Sequence, residues 1–256
     1  SRVVSVTLSV KDSMMFLQLS KVSRNFGGLL AVDGIDLSIE QGEIVGLMGA
    51  NGAGKTTLFN LIAGNLRPTS GEIWFDGKRT DGLRADQINR LGVARAFQIV
   101  RPFSGLTVLE NVVIGCLFGR GREFSMVRAE ADAKAVLKQV GLVERAHDAA
   151  GTLTLAGRKR LEIARAFATR PRLLLLDEVM AGLTPVEVSE ALETISMLHQ
   201  NQELTIVVIE HVMRALMQLS HRLVVLHHGT KIAEGTPTEI ADSPAVKEAY
   251  FGDGRI

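Results

Sequence analysis

Gly49-Ala50-Asn51-Gly52-Ala53-Gly54-Lys55-Thr56-Thr57 is the stretch that decides the fold of this 256-residue chain. It matches the pattern G-x-x-x-x-G-K-[ST]. Its context makes the match specific, because a strand-like apolar run at residues 44–48 precedes it and a helix-like run at residues 57–63 follows it. Glycine has no Cβ, so the backbone of such a loop can fold around a phosphate and point successive N–H groups at it. The first turn of the following helix adds the positive end of its dipole.

The loop predicts a site for ATP with Mg²⁺. Lys55 supplies a mobile cation for the β- and γ-phosphates, the Thr56 hydroxyl is placed to ligate Mg²⁺, and Thr57 is expected to contact the α-phosphate region. The residues expected to surround the nucleotide mainly with backbone groups are Gly49, Ala50, Asn51, Gly52, Ala53 and Gly54. The alternative is a glycine-rich strand-to-helix turn that carries Lys-Thr by coincidence, and the presence of strand, loop and helix together disfavours it.

An acid pair follows a second apolar run. Residues 173–176 are four leucines, suited to a central parallel strand, and Asp177 and Glu178 come directly after them. Adjacent acids at the end of a buried strand are costly unless a cation is near, so Mg²⁺ and a polarised water are natural partners. We expect Asp177 to hold the metal through its water shell and Glu178 to act as general base on the water that attacks the γ-phosphate. Taken alone, the pair could instead cap the strand end.

Strand-like and helix-like segments alternate along the chain, which indicates an α/β fold. The periodicity predicts strands at residues 16–19, 31–39, 43–48, 72–75, 173–176, 205–209, 223–226 and 230–234, and helices at residues 55–63, 129–140, 159–168, 186–199 and 212–219. The helical middle predicts a parallel-rich core with a helical subdomain inserted near residues 99–165. Residues 1–14 are expected to be a flexible N-terminal extension of one domain that spans residues 15–256.

Composition excludes several classes of partner. Lysine and arginine total 29 against 28 aspartates and glutamates, so a net charge of +1 gives no global electrostatic reason to expect nucleic acid or an anionic membrane surface. No apolar window approaches the roughly 18–20 residues that a membrane span needs. The single cysteine, Cys116, cannot form an intrachain disulfide, and we expect it to be a small buried hydrophobe in a reducing compartment.

Taken together, the motifs resemble the ATP-binding subunits of ABC transporters, from about Phe16 onward. Besides the phosphate loop and the acid pair, four segments occur in the order of that family. They are residues 94–98 with a glutamine after a strand, residues 153–157 as the signature motif, residues 181–184, and residues 206–211 with an apolar strand that ends in Glu-His. The resemblance implies a P-loop NTPase fold of ABC type, with a mixed, mainly parallel core sheet, an antiparallel β subdomain and an inserted helical subdomain.

The resemblance also assigns roles to individual residues. Gln98 is similar to the glutamine that reaches Mg²⁺ and the attacking water while its loop senses the membrane partner. His211 resembles the histidine that contacts the γ-phosphate, a role suited to an imidazole. Phe26 resembles the aromatic residue that stacks on adenine, and a core phenylalanine is the alternative. In the family, the signature motif contacts the ATP of a partner subunit, which implies that role for Thr154, Ala156 and Gly157.

The signature motif departs from the family pattern Leu-Ser-Gly-Gly-Gln. Thr154 keeps the hydroxyl, but Ala156 stands where the family has its second glycine. If this position needs a positive φ, alanine costs about 1–2 kcal/mol, whereas in the first turn of the following helix the cost is slight. The basic residues 158–160 that follow are expected to form a solvated helix face or an anion-binding cluster.

Four local features are similar to the ATPase subunits of branched-chain amino-acid importers, which also serve other small polar solutes. They are residues 26–32, 97–103 and 106–112, and the C-terminal stretches at residues 232–237 and 249–252. The resemblance implies a peripheral protein on the cytoplasmic face of the inner (plasma) membrane. It would pair head to tail with a second ATPase subunit, identical or related, because the chain carries only one of each half-site. Membrane permease subunits would contact it directly, and a solute-binding protein would act indirectly.

Two other functions remain open at this point. One is an ABC ATPase that is not coupled to transport. The other is a regulatory module that binds ATP and hardly turns over, suggested by the altered signature motif.

Overall fold

The computed structural model describes residues 15–97, 102–121, 123–202 and 204–251. The expected N-terminal extension and Gln98 lie outside these ranges. The strands of the described residues are β1 Leu17–Phe26, β2 Leu29–Ile39, β3 Ile44–Met48, β4 Ser70–Phe75, β5 Lys78–Arg79, β6 Val93–Ala96, β7 Leu173–Asp177, β8 Thr205–Ile209, β9 Arg222–His227 and β10 Thr230–Gly235. The α-helices are α1 Lys55–Ile62, α2 Ala85–Leu91, α3 Val108–Phe118, α4 Met126–Gln139, α5 Leu155–Ala168, α6 Pro185–Gln202, α7 Met213–Leu219, α8 Pro237–Asp242 and α9 Pro244–Phe251.

A six-stranded sheet in the order β10-β9-β3-β8-β7-β6 forms the centre of the fold. Its strands are parallel except β10, which pairs antiparallel with β9. Every residue of β3, β7 and β8 is buried, as expected for parallel strands covered on both faces. Leu47 and Asp177 both pair with Ile209, so the carboxyl ends of these three strands meet at one edge of the sheet. The parallel-rich α/β core predicted from the sequence is confirmed.

Side chains alternate between the two faces of this sheet and so build two cores. One core includes Leu47, Leu175 and Ile209, together with α1 and a second, antiparallel sheet in the order β2-β1-β4-β5. The other core includes Leu174 and Val208, together with the helices that cover the opposite face. The antiparallel sheet therefore lies over the helix that follows the phosphate loop, which brings the end of β1 close to that loop.

Helices α3, α4 and α5 are inserted between β6 and β7. Helix α3 begins at a capping box, in which Thr107 and Glu110 satisfy each other's backbone N–H groups. The three helices bury Val112, Leu137 and Leu161 against one another. Their core is continuous with one face of the parallel sheet, so the position of α5 is fixed relative to β7.

Most predicted elements are present, with ends shifted by a few residues. The strand predicted at residues 205–209 agrees with β8, whereas α5 begins four residues before the predicted start at residue 159. The periodicity missed α2 and β5, which span only seven and two residues. The residues after β10 form two further helices, α8 and α9.

The described part of the chain bears on two expectations from composition. None of its helices combines the length and apolarity needed to cross a bilayer. Cys116 is buried, and burial raises the pKa of its thiol to about 11, which makes it an unreactive core residue.

We expect Gly119→Ala to destabilise the packing of α3 against the end of α5. A Cβ at Gly119 would lie 2.4 Å from the Cα of Thr169 and 2.6 Å from its carbonyl oxygen, so backbone must move. The expected loss in the free energy of unfolding is about 1–3 kcal/mol, measured by urea denaturation. Gly105→Ala is the matched control, because no heavy atom of the described residues lies within 4 Å of the added Cβ. Equal stability of the two variants would contradict the close approach.

Candidate nucleotide-binding site

The loop between β3 and α1 has a backbone that only glycine adopts readily. Gly49, Gly52 and Gly54 have φ values of 151°, 81° and 102°. A Cβ at Gly54 would lie 2.5 Å from the carbonyl oxygen of Ala31, and one at Gly49 would lie 2.4 Å from that of Leu226. The loop is therefore packed against β2 on one side and β9 on the other, which fixes its shape.

Lys55, the first residue of α1, is folded back over the loop. Its Nζ donates to the carbonyl oxygens of Gly49, at 2.6 Å, and Ala50, at 3.0 Å. Burial lowers the pKa of Lys55, and the carboxylates of Glu178 and Asp177 oppose that shift. The ammonium group is thus held where incoming phosphate oxygens can replace the two carbonyls.

A cavity of about 340 Å³ opens beside this loop. Its walls are Phe26, Leu29, Ala31, Glu178, and the loop residues Asn51, Gly52, Ala53, Gly54, Lys55, Thr56 and Thr57. The ring of Phe26 is 42% exposed, and the guanidinium carbon of Arg24 lies 4.5 Å from its centroid. The alternative of a core phenylalanine is therefore wrong. Stacking of Phe26 on adenine stays a prediction, supported by its place in the cavity wall.

Asp177 is the last residue of β7 and is almost fully buried, at 1% exposure. One of its oxygens pairs with the buried guanidinium of Arg95. The other, Oδ1, has no hydrogen-bond partner among the described residues. A buried carboxylate oxygen without a partner is costly, and the water shell of a cation would satisfy it.

Asp177 and Thr56 carry the kinds of donor that suit Mg²⁺. No group of three or more His, Cys, Asp or Glu side chains suited to a metal occurs among the described residues, so a metal cage made only of such side chains is absent there. Mg²⁺ is ordinarily held by one or two carboxylates, waters and substrate phosphates. Asp177 and the exposed hydroxyl residue Thr56 are of that kind. Gln98, the third residue expected at the metal, lies outside the described residues.

Glu178 lines the cavity and contacts His211. The Oε1 atom of Glu178 lies 2.9 Å from Nε2 of His211. Glu178 has a φ of 49°, in the left-handed region, and its backbone N–H donates to the carbonyl oxygen of Ile209 at 2.9 Å. The carboxylate of Glu178 is only 12% exposed and borders the loop that would hold phosphates. A carboxylate in that position can accept a proton from a water next to the terminal phosphate.

The signature motif forms the start of α5. Thr154 is the N-cap residue, and its hydroxyl oxygen accepts from the N–H of Gly157 at 3.2 Å. Ala156 lies in the first helical turn and does not have a positive φ, so alanine in place of glycine costs little here. None of the described residues 154–157 lines the cavity beside the phosphate loop. The two halves of the expected site are therefore apart within one chain.

The structure corrects the interpretation of residues 158–160. Arg160 pairs with Glu190 on the surface, as a solvated face predicts, but Lys159 is 5% exposed and its Nζ donates to the carbonyl oxygen of Glu178 at 2.9 Å. Helical spacing does not reveal this burial, because Leu155, four residues before Lys159, is exposed although Ile163, four residues after it, is buried. Arg95 was also missed, and it alternates with the buried Ala94 and Ala96 on β6.

Comparison with known proteins finds matches over most of the chain. Residues 32–181 match the family described as ABC transporter, and residues 230–255 match the one described as branched-chain amino acid ATP-binding cassette transporter. The high-affinity branched-chain amino acid transport ATP-binding protein BraF of Pseudomonas aeruginosa is 40% identical over 253 residues, covering 94% of this chain and 99% of that protein. The ADP conformation of MJ1267, an ATP-binding cassette of an ABC transporter, has a TM-score of 0.83 and 27% identity, covering 94% of this chain and 100% of that one. Dimeric MJ0796, a bacterial ABC transporter cassette, has a TM-score of 0.79 and 26% identity, covering 86% and 98%.

We expect Lys55→Ala to weaken ATP binding about 10- to 100-fold, because a charge-assisted hydrogen bond of about 1.5–3 kcal/mol is lost. A fluorescence titration with a labelled ATP analogue measures the change. Lys138→Ala, which removes an exposed lysine from α4, is the control and should bind as the parent does. Unchanged affinity in Lys55→Ala would contradict the assignment of the phosphate loop.

Proposed function

This chain belongs to the ABC transporter family, and from that membership we propose that it is the ATP-hydrolysing subunit of an importer for branched-chain amino acids or related small polar solutes. The observation that carries the catalytic part of the proposal is the contact of His211 with Glu178, which lines the phosphate-loop cavity. The match of residues 230–255 and the name of the relative BraF support the class of solute.

In the proposed reaction, ATP lies in the loop with its adenine against Phe26. Lys55 leaves the two loop carbonyls and pairs with the β- and γ-phosphates, while Thr57 contacts the α-phosphate region. Thr56, Asp177 and Gln98 would hold Mg²⁺, which neutralises charge on the β- and γ-oxygens when bound. Glu178 takes the proton of the attacking water, and His211 keeps that carboxylate oriented and contacts the γ-phosphate.

A second ATPase subunit completes the site. The start of α5 offers unsatisfied N–H groups and the positive end of a helix dipole, which suits the phosphates of another subunit. Thr154, Ala156 and Gly157 do not reach the cavity of their own chain, so they are available to a partner. We propose a head-to-tail dimer, either of two copies or of this chain with a related ATPase.

An exposed apolar surface between α3 and α4 supports docking to membrane permeases. Phe118 is 67% exposed, Phe124 is 87% exposed, Met126 is 56% exposed and Val127 is 79% exposed, and all four lie in one short stretch of the chain. Exposed apolar residues grouped in this way mark sites of protein association. We propose that permease subunits cover this surface and place the chain on the cytoplasmic face of the membrane. A solute-binding protein would deliver solute to the permeases without touching this chain.

The two alternative functions are less well supported. A regulatory module with little turnover does not need the carboxylate of Glu178 at the cavity, where it adopts a costly left-handed backbone. An ABC ATPase unconnected with transport does not account for the match of the C-terminal residues 230–255.

We predict that Glu178→Gln abolishes ATP hydrolysis, with a fall in kcat of about 100-fold or more, while ATP-dependent dimerisation is retained. Removal of the base leaves the groups that bind the nucleotide in place. Steady-state phosphate release and size-exclusion chromatography with ATP measure the two effects. The control Glu193→Gln changes an exposed glutamate of α6. Equal turnover in Glu178→Gln and the parent would remove Glu178 from the proposed role.

We predict that permease subunits co-purify with the tagged chain from solubilised membranes of its own cell. Phe124→Asp should reduce the recovery of these subunits at least several-fold. The acid would have to be desolvated in the contact. Gln200→Asp adds an acid to an exposed position of α6 and should retain the permeases. Recovery of ribosomes or DNA in place of membrane proteins would favour an ATPase unconnected with transport.

A further inference from the structure

Lys159 places a cation against the backbone of Glu178. It lies in the second turn of α5, its side chain is 5% exposed, and its Nζ donates to the carbonyl oxygen of Glu178 at 2.9 Å. Burial lowers the pKa of Lys159, and the carboxylate of Glu210 is the strongest influence in the opposite direction. A lysine is rarely buried unless it is partnered, so this contact needs a reason beyond packing.

The backbone of Glu178 is the part of the site that needs support. Its φ of 49° is unfavourable for a residue with a side chain, by about 1–2 kcal/mol. Its N–H is fixed by the carbonyl oxygen of Ile209 at 2.9 Å. Its carbonyl oxygen accepts from Lys159 and from the N–H of Ala181, at 3.2 Å. Both the N–H and the carbonyl group of Glu178 are therefore hydrogen-bonded. Among the residues that make these backbone contacts, which are Ile209, Ala181 and Lys159, Lys159 is the one with a charged side chain.

Glu210 holds the same turn from a second element of the fold. It follows β8, is 4% exposed, and its Oε1 accepts from the backbone N–H of Met180 at 2.8 Å. Burial raises the pKa of Glu210 to about 6, and the nearby charge of Lys159 opposes that shift. Lys159 and Glu210 thus grip residues 178–181 from α5 and from the end of β8.

We propose that Lys159 is a positioning residue that ties the signature helix α5 to the backbone of Glu178, so that the catalytic carboxylate is aimed only while α5 is in place. The proposal rests on the proposed role of Glu178 as general base. It gives α5 two tasks, since its first residues face the ATP of the partner subunit and its second turn holds the base of its own subunit. Binding of ATP at the phosphate loop of one subunit would therefore affect the position of the Glu178 carboxylate in the other subunit.

The test compares Lys159→Met, Lys159→Arg and the control Arg160→Met in the assembled transporter. Arg160→Met removes one positive charge from the same helix at a surface ion pair. We expect Lys159→Met to lower kcat about 10- to 100-fold, as a misplaced catalytic group does, with less than about a threefold change in KM for ATP. Lys159→Arg should recover part of the turnover, and Arg160→Met should behave as the parent does.

A double variant keeps the test valid if Lys159→Met folds poorly. Glu210 would then be left as an unpaired buried acid, so Lys159→Met/Glu210→Gln removes both charges while the amide can still accept from Met180. Restored thermal stability with low kcat supports a positioning role. Parent-like kcat in either the single or the double variant overturns the inference, as does a parallel loss of ATP affinity. Parent-like turnover in Glu178→Gln would instead refute the proposed function itself.

Discussion

The register of three parallel strands is the constraint on which the rest of the structure depends. Leu47 of β3 and Asp177 of β7 both pair with Ile209 of β8, so the chain leaves all three strands at one edge of the sheet. The residues that follow these strands are therefore close in space, and neither long side chains nor long loops are needed to bring them together. The phosphate loop, Glu178 and His211 meet there because backbone pairing has already aligned them. This agrees with the general rule that ligands of parallel α/β sheets bind beyond the carboxyl ends of the strands.

Buried charges at this edge occur in partnered sets. Arg95 pairs with one oxygen of Asp177, Lys159 and Glu210 grip the turn after β7, and Lys55 lies on the carbonyls of its own loop. Each buried ion loses hydration that a single partner only partly replaces. Replacement of such a set by apolar residues is often neutral or stabilising in other proteins. The sets are therefore better explained by what they hold in place, which is the carboxylate of Asp177 and the backbone of Glu178, than by a gain in stability.

The sequence predicted those parts of the site that depend on neighbours in the chain. Glycine spacing predicts the loop at residues 49–57, and a continuous apolar run predicts the strand at residues 205–209. Lys159 and Glu210 could not be found in this way, because each owes its burial to a segment far along the chain. The basic run at residues 158–160 resembled a solvated face until the packing of α5 showed which of its three members points inward. The substitution at Ala156 was ambiguous for the same reason, since its cost depends on where the helix begins.

The strain at Glu178 and the contact that offsets it are of similar size. A left-handed backbone costs about 1–2 kcal/mol at a residue with a Cβ, and a hydrogen bond from a charged donor contributes about 1.5–3 kcal/mol. The bond from Lys159 to the carbonyl oxygen of Glu178 therefore contributes about as much as the strained conformation costs. Five residues of rigid helix, about 7.5 Å of rise, separate Thr154 from Lys159, so α5 cannot move at one end and stay fixed at the other. A balance this close allows a small displacement of the helix to decide whether the carboxylate faces the cavity.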